Sequence, residues 1–183
     1  MPRLNAIDPQ QATGKMKELF DGITAKLGKV PNLMRTFGNS PAALEAYLNF
    51  SGALGNGLLS AKLREQIALT VADANRCEYC LSAHTAIGKM IGLTAADLVQ
   101  SRSANTDDAK TNAALVFAQQ VVAKRGELDD ADVQAVRAAG FNDGELTEII
   151  ANVALNIFTN YFNHIAQTVV DFPKVSLAAG QAR

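Results

Sequence analysis

The sequence has 183 residues, a formal net charge of −1, 48% hydrophobic and 19% charged residues. A chain of this length and composition can bury a core without disulfides or metals, and it is not a disordered protein. Lysines and arginines are scattered along the sequence and form no basic run, which argues against nucleic acid or an anionic membrane as a partner.

The amino-terminal residues lack the continuous apolar core of a signal peptide. No apolar run approaches the roughly 20 residues that a membrane-spanning helix needs. We therefore expect a cytoplasmic protein, whose thiols the cell keeps reduced. A permanent structural disulfide is not expected there, whereas a disulfide that forms and is reduced again in a cycle is compatible with that compartment.

Helical periodicity dominates the first part of the chain. A helix is predicted over 8–28, with Asp8 and Pro9 at its start and Gly28 closing it. A loop with a short helical turn is predicted over 29–39. The next helix starts at Ser40, which can serve as N-cap, and continues through 41–54.

The same signals continue to the end of the chain, where helix-capping residues and terminal glycines alternate. Thr94 and Asp97 have the spacing of a capping box, and Asn142 with Glu145 repeats it. The last helix is expected to continue until Pro173, because proline cannot extend a helix. The predicted helices of this part cover residues 60–76, 79–92, 94–100, 107–126, 129–140 and 142–172.

No segment shows the alternation of a strand, and no glycine-rich phosphate loop or linker is present. The fold class predicted is therefore all-α, a bundle of about seven or eight helices forming a single domain over residues 1–183. Its motif core spans 60–92, and residues 1–39 form an N-terminal helical extension. The last helix is apolar around much of its circumference, so we expect it to be buried in the domain or at a subunit contact.

Both cysteines of the chain, and one of its two histidines, lie in the stretch NRCEYCLSAHTAIG, residues 75–88. If a helix begins near Cys77, Cys80 lies about 60° from it around the axis and His84 lies about 40° from Cys80, between the two cysteines, so all three share one side. Amino-terminal N–H groups of a helix stabilise thiolates, so we expect both cysteines to be more acidic than a free thiol. His84 lies one turn beyond Cys80 and can accept its proton.

Three interpretations of this segment compete. In a redox dithiol, one cysteine is oxidised to sulfenic acid and the other condenses with it to a disulfide. In a zinc site, Cys77, Cys80 and His84 are ligands and His164 is the fourth. In the third interpretation the cysteines are inert core residues. An all-α setting excludes the thioredoxin analogy, and we favour the redox dithiol. His164 by itself is most simply a hydrogen-bonded core histidine that can also reach the site from its helix.

The segment EQIALTVADANRCEYCLSAH resembles the AhpD-like alkylhydroperoxidases, a branch of the carboxymuconolactone decarboxylase family. Its Glu65, Cys77, Cys80 and His84 match the pattern Glu–x11–Cys–x2–Cys–x3–His of these proteins. The carboxyl-terminal ALNIFTNYFNHIAQT is similar to their peroxidase-related branch. The resemblance implies an all-helical AhpD-like fold, a homotrimer or homohexamer, and antioxidant reduction of organic hydroperoxides or hydrogen peroxide. The decarboxylase branch uses no cysteine pair, so lactone decarboxylation is not expected.

Carried over by residue, the resemblance implies that Cys80 is the peroxidatic thiol and Cys77 the resolving one. His84 then takes the proton of Cys80, and Glu65 orients His84 or relays its proton. No bound cofactor or metal is implied, and electrons return from an external dithiol. Tyr79 departs from the family, whose best-characterised members have a histidine between the cysteines. A phenol is a poor base at neutral pH, but it can donate a hydrogen bond to a peroxide oxygen.

Two further alternatives remain open at this point. The dithiol can act as a redox sensor that is oxidised once and turns nothing over, or the chain can be a small zinc-binding oligomeric protein. Glu65 also has a purely structural explanation, because an acidic residue near the start of a helix is stabilised by the helix dipole.

Overall fold

The computed structural model describes residues 1–177, and these contain α-helices and no strand. The predicted all-α fold is confirmed. The described residues form nine α-helices rather than seven or eight, because the turn expected after Gly28 is a six-residue helix. The helices are α1 Gly14–Leu27, α2 Asn32–Phe37, α3 Pro41–Gly55, α4 Ala61–Ala74, α5 Glu78–Met90, α6 Ala95–Arg102, α7 Ala109–Ala123, α8 Asp130–Ala138 and α9 Asp143–Ala166.

The capping residues of the sequence set most helix boundaries. The Ser40 side chain accepts a hydrogen bond from the backbone N–H of Ala43, and Ser60 caps α4 in the same way. Both predicted capping boxes form, at Thr94 and at Asn142. Gly28 follows α1 with φ 75°, a left-handed conformation that costs glycine little.

Two predicted helices are wrong in extent. The first is interrupted, since Pro9–Gln11 forms a short 3-10 helix and α1 begins only at Gly14. The last ends at Ala166, well before Pro173, because Gln167 adopts a left-handed conformation with φ 53° and its N–H bonds back to Asn163 O. Residues 168–177, which we call the C-terminal segment, then continue without regular structure.

Helix α4 is the centre of the bundle and packs against α5, α6, α7 and α9. Its Ile67 and Val71 belong to a core with α7, α8 and α9. Its Leu69 and Ala72 face a second core, built with residues of α1, α2, α3 and α5. Both cysteines lie in this second core, so the dithiol is held by packed side chains on several helices.

Helix α9 is buried on one side only. Ile149 and Val153 are almost fully buried, whereas Phe158, Tyr161 and Ile165 are between 43% and 64% exposed. This apolar outer face is where a subunit contact is predicted. Among the helices of residues 1–177, none combines the length and the apolar character required to cross a membrane.

Candidate active site

A tight turn between α4 and α5 places the first cysteine. The backbone N–H of Cys77 donates to Ala72 O at 2.8 Å, across the end of α4. This bond requires a left-handed residue just before Cys77, and Arg76 occupies that position with φ 56°, where glycine is usual. Cys77 is then the N-cap of α5, and its Sγ accepts a hydrogen bond from the N–H of Cys80 at 3.5 Å.

The sulfur of Cys80 is buried against α9. Asn163 Nδ2 donates to Cys80 Sγ at 3.2 Å, and Thr159 Oγ1 lies 3.8 Å from the same atom. A hydrogen bond with Cys77 lowers the pKa of Cys80 to about 6. Burial opposes this shift, while the positive charge of His84 and the amides of Asn160 and Asn163 add to it. Cys80 is therefore largely a thiolate at neutral pH, the reactive form of cysteine.

Cys77 behaves in the opposite way, and the expectation that both cysteines are acidic is wrong. Its pKa is raised, first because its thiol donates a hydrogen bond to Cys80 and then because it is buried. Two thiols this close do not ionise independently, since the proton that one loses is held by the other. The helix terminus therefore stabilises a single negative charge, and Cys80 carries it.

Glu65 and His84 meet across the contact between α4 and α5. His84 Nδ1 lies 2.7 Å from Glu65 Oε2, and the two side chains are 21% and 19% exposed. Burial lowers the pKa of His84, but the charge and hydrogen bond of Glu65, together with the negative charge of Cys80, outweigh it, so the pKa is raised overall. With Nδ1 bound to the carboxylate, Nε2 is the ring nitrogen that can exchange a proton.

Tyr79 uses its hydroxyl to connect distant segments. The hydroxyl donates to Asp171 Oδ1 of the C-terminal segment at 2.9 Å and accepts a hydrogen bond from the backbone N–H of Leu33 at 3.0 Å. Burial is the main reason why the pKa of Tyr79 is raised. Because the phenolic proton is bound to Asp171, donation to a peroxide oxygen requires this bond to break.

The replacement Tyr79→Phe is expected to lower the free energy of unfolding by about 1–3 kcal/mol, because the buried N–H of Leu33 loses its partner. Urea denaturation measures this change. Tyr161→Phe is the matched control, since Tyr161 is 54% exposed and its substitution should stay within about 0.5 kcal/mol. Equal effects of the two substitutions would contradict a structural role of the Tyr79 hydroxyl.

His164 lies on α9 near the start of α5. Its Nε2 bonds to the backbone carbonyl of Asn75 at 2.9 Å. Within residues 1–177, no group of three or more His, Cys, Asp or Glu side chains is arranged to hold a metal ion. The zinc interpretation therefore requires Cys77, Cys80, His84 and His164 to move into a common ligand geometry that they do not have here.

Three residues near the dithiol were not assigned to the site from the sequence, which indicated Asn160 and Asn163 only as polar partners of buried groups. Asn160 and Asn163 are 0% and 5% exposed, and with Asn156 they follow a spacing of four and three along an otherwise apolar helix. This buried polar stripe was a usable signal. Tyr47 of α3 had no such signal. Burial raises the pKa of Tyr47, and the negative charges of Cys80 and Glu65 add to the shift.

A cavity of about 170 Å³ opens beside the start of α5; Cys77 is among the residues that line it, and Cys80 is not. Two buried polar atoms near this cavity, Asn163 Oδ1 and Thr168 Oγ1, have no hydrogen-bond partner among residues 1–177. A larger cavity of about 430 Å³ lies elsewhere and includes none of the four motif residues. The residues lining the smaller cavity are Arg76, Cys77, Glu78, Tyr79, Asn163, His164, Gln167, Thr168 and Val170.

The fold is similar to two solved structures of peroxidase-related proteins. One, from Ralstonia eutropha JMP134 and described as an alkylhydroperoxidase AhpD core, superposes with a TM-score of 0.84 at 25% identity, covering 93% of this chain and 92% of that one. The other, from Silicibacter sp. TM1040, has a TM-score of 0.79 at 26% identity, covering 92% and 94% of the two chains.

Sequence comparison adds two matches. An uncharacterized protein of Haemophilus influenzae is 51% identical over 45 residues, which are 24% of this chain and 40% of that protein. The model of the carboxymuconolactone decarboxylase family matches residues 41–123, which include Glu65, both cysteines and His84. Residues 41–123 therefore resemble the carboxymuconolactone decarboxylase family, and the chain has the AhpD-like fold.

Proposed function

We propose that this protein is a thiol-dependent peroxidase that reduces hydroperoxides through a Cys77–Cys80 disulfide cycle. The observation that carries the proposal is the difference in acidity between the two cysteines. The pKa of Cys80 is about 6, whereas the pKa of its neighbour Cys77 is raised, so Cys77 stays protonated. An antioxidant role is also supported by the peroxidase-related proteins of the same fold.

The first step is attack of the Cys80 thiolate on the terminal oxygen of the hydroperoxide. The O–O bond breaks, Cys80 becomes a sulfenic acid, and the leaving alkoxide takes a proton from the His84 imidazolium. Glu65 keeps His84 oriented and favours its charged form. The sulfur is oxidised by two electrons, and the hydroperoxide is reduced to an alcohol.

Cys77 completes the oxidative half of the cycle. Its thiol condenses with the sulfenic acid of Cys80, which forms the disulfide and releases water. An external dithiol then supplies two electrons, and no bound cofactor or metal takes part in the proposed cycle. The two cysteines are free thiols in the structure, which corresponds to the reduced state.

Turnover separates a peroxidase from a redox sensor. One equivalent of tert-butyl hydroperoxide should convert both thiols of the protein to an intramolecular disulfide, as counted with a thiol reagent and by mass spectrometry. With excess hydroperoxide and dithiothreitol, peroxide consumption should continue for many equivalents per chain. Consumption that stops after one equivalent would favour the sensor, and unchanged thiols would refute both functions.

A further inference from the structure

The two sulfurs of the dithiol differ in their access from solvent. Both cysteines are 2% exposed, but the cavity of about 170 Å³ reaches Cys77 and not Cys80. Cys80 Sγ instead contacts Thr159 and Asn163, and of these two only Asn163 lines the cavity. A molecule that enters this cavity therefore meets Cys77 first.

The chemistry of disulfide exchange selects the same sulfur. An incoming thiolate attacks one sulfur and expels the other, and the thiol with the lower pKa leaves faster. Attack on Cys77 expels Cys80, whose pKa is about 6 and whose negative charge is stabilised by His84 and Asn163. Attack on Cys80 would expel Cys77, whose pKa is raised.

The cavity also contains a base. His164 lines it, and the bond from Nε2 to Asn75 O assigns the ring proton to Nε2 in the neutral form. Nδ1 then carries a lone pair and can accept a proton. The charged groups that line the same cavity are Arg76 and Glu78, and Glu78 pairs with Lys174 at 3.3 Å.

We propose that this cavity is the entry port for the reducing thiol, in which His164 deprotonates the thiol for attack on Cys77. This inference rests on the proposed disulfide cycle. It places the reduction of the Cys77–Cys80 disulfide in the cavity beside Cys77. The thiol gives its proton to His164 Nδ1, its sulfur bonds to Cys77 Sγ, and the S–S bond breaks to release the Cys80 thiolate.

The second thiol of the dithiol finishes the reaction. It attacks the reductant sulfur of the mixed disulfide, so Cys77 leaves and takes one proton, and the dithiol becomes an internal disulfide. Two electrons pass to the protein, and the remaining proton is released to solvent through His164. Asn163 Oδ1 and Thr168 Oγ1, which have no partner within the described residues 1–177, are polar groups available to a hydroxythiol in the port.

The site of attack is tested by trapping the mixed disulfide. The dithiol is oxidised with diamide, which requires no hydroperoxide, and then reacted briefly with 2-mercaptoethanol. Acid quenching, alkylation of the free thiol and peptide mass spectrometry should show the adduct on Cys77 and the alkyl group on Cys80. An adduct on Cys80 would overturn the proposal, whereas failure of diamide to form the disulfide would instead refute the cycle itself.

The role of His164 is tested with His164→Gln, in which the amide can still donate to Asn75 O but cannot act as a base. Reduction of the diamide-formed disulfide by dithiothreitol should slow about 10²-fold at pH 7. The deficit should shrink as the pH rises towards the pKa of the reductant thiol, because the thiol then ionises without a base. A deficit that is the same at every pH, or no deficit, would overturn the role of base.

Thr168→Trp tests the port without touching the base. The larger side chain at position 168 should slow reduction of the Cys77–Cys80 disulfide by dithiothreitol at least about 10-fold. Oxidation of the dithiol by hydroperoxide should change much less. Val99→Trp is the control for an added indole, because Val99 is 67% exposed on α6. Equal slowing of both half-reactions by Thr168→Trp would show that the cavity does not serve the reductant specifically.

Discussion

Replacing Cys80 by serine is expected to slow the reaction with hydroperoxide by at least about 10³-fold, because an un-ionised hydroxyl replaces the only acidic thiol of the site. Single-turnover loss of tert-butyl hydroperoxide measures this change. Cys77 remains in the variant, but its raised pKa keeps it a thiol at neutral pH. Fast oxidation of Cys77 in the Cys80→Ser protein would reverse the roles of the two cysteines.

Cys77→Ser should give a different result from Cys80→Ser. Cys80 still reacts once and then stops as a sulfenic acid, which dimedone labels and mass spectrometry detects. Serine keeps a hydroxyl that can donate to Cys80, whereas alanine does not. The ionisation midpoint of Cys80 should therefore stay lower in Cys77→Ser than in Cys77→Ala, and equal midpoints would contradict the hydrogen bond as the main cause of its acidity.

The second large effect concerns His84 and appears in the pH profile. Alkylation of Cys80 by iodoacetamide should rise with a midpoint near pH 6, because the pKa of Cys80 is lowered from 9.0 to about 6. Peroxide reduction needs the thiolate of Cys80 and the protonated form of His84 together. Its rate should rise near pH 6 and fall only above 6.5, the ordinary pKa of the histidine, because the pKa of His84 is raised.

His84→Ala should lower the rate at pH 7 by about 10²- to 10⁴-fold. Without the positive charge of His84, the midpoint for alkylation of Cys80 moves to higher pH. Without the proton that His84 donates, the fall in the rate of peroxide reduction at high pH disappears. Glu65→Gln should keep both limbs but move the falling limb to lower pH, since an uncharged amide no longer holds the proton on His84. A falling limb that survives in His84→Ala would assign it to another group.

Asp73→Asn is the control for the loss of a carboxylate from α4. Asp73 bonds to Arg102 at 2.8 Å and its side chain is 26% exposed, so it resembles Glu65 in environment but does not contact His84. Both limbs should stay in place in this variant. A shift equal to that of Glu65→Gln would mean that the net charge of the helix, rather than the contact with His84, sets the profile.

The sequence by itself determined the parts of this protein that follow from short-range rules. Helix starts such as Ser40 and Asn142, and the stop at Gly28, were predictable because a cap acts on backbone groups within one turn. The shared side of Cys77, Cys80 and His84 follows in the same way from helical spacing. The end of α9 was not predictable, since the left-handed turn at Gln167 precedes the proline that was expected to stop it.

Only the tertiary structure decided which sulfur is the acid. The amides that stabilise the Cys80 thiolate come from α9, with Asn163 separated from it by 83 residues. The Tyr79 hydroxyl is likewise bound by Asp171, 92 residues away. A pKa depends on the charges, dipoles and burial around a group, and for a buried group most of these come from segments that are distant in the sequence and adjacent only after folding.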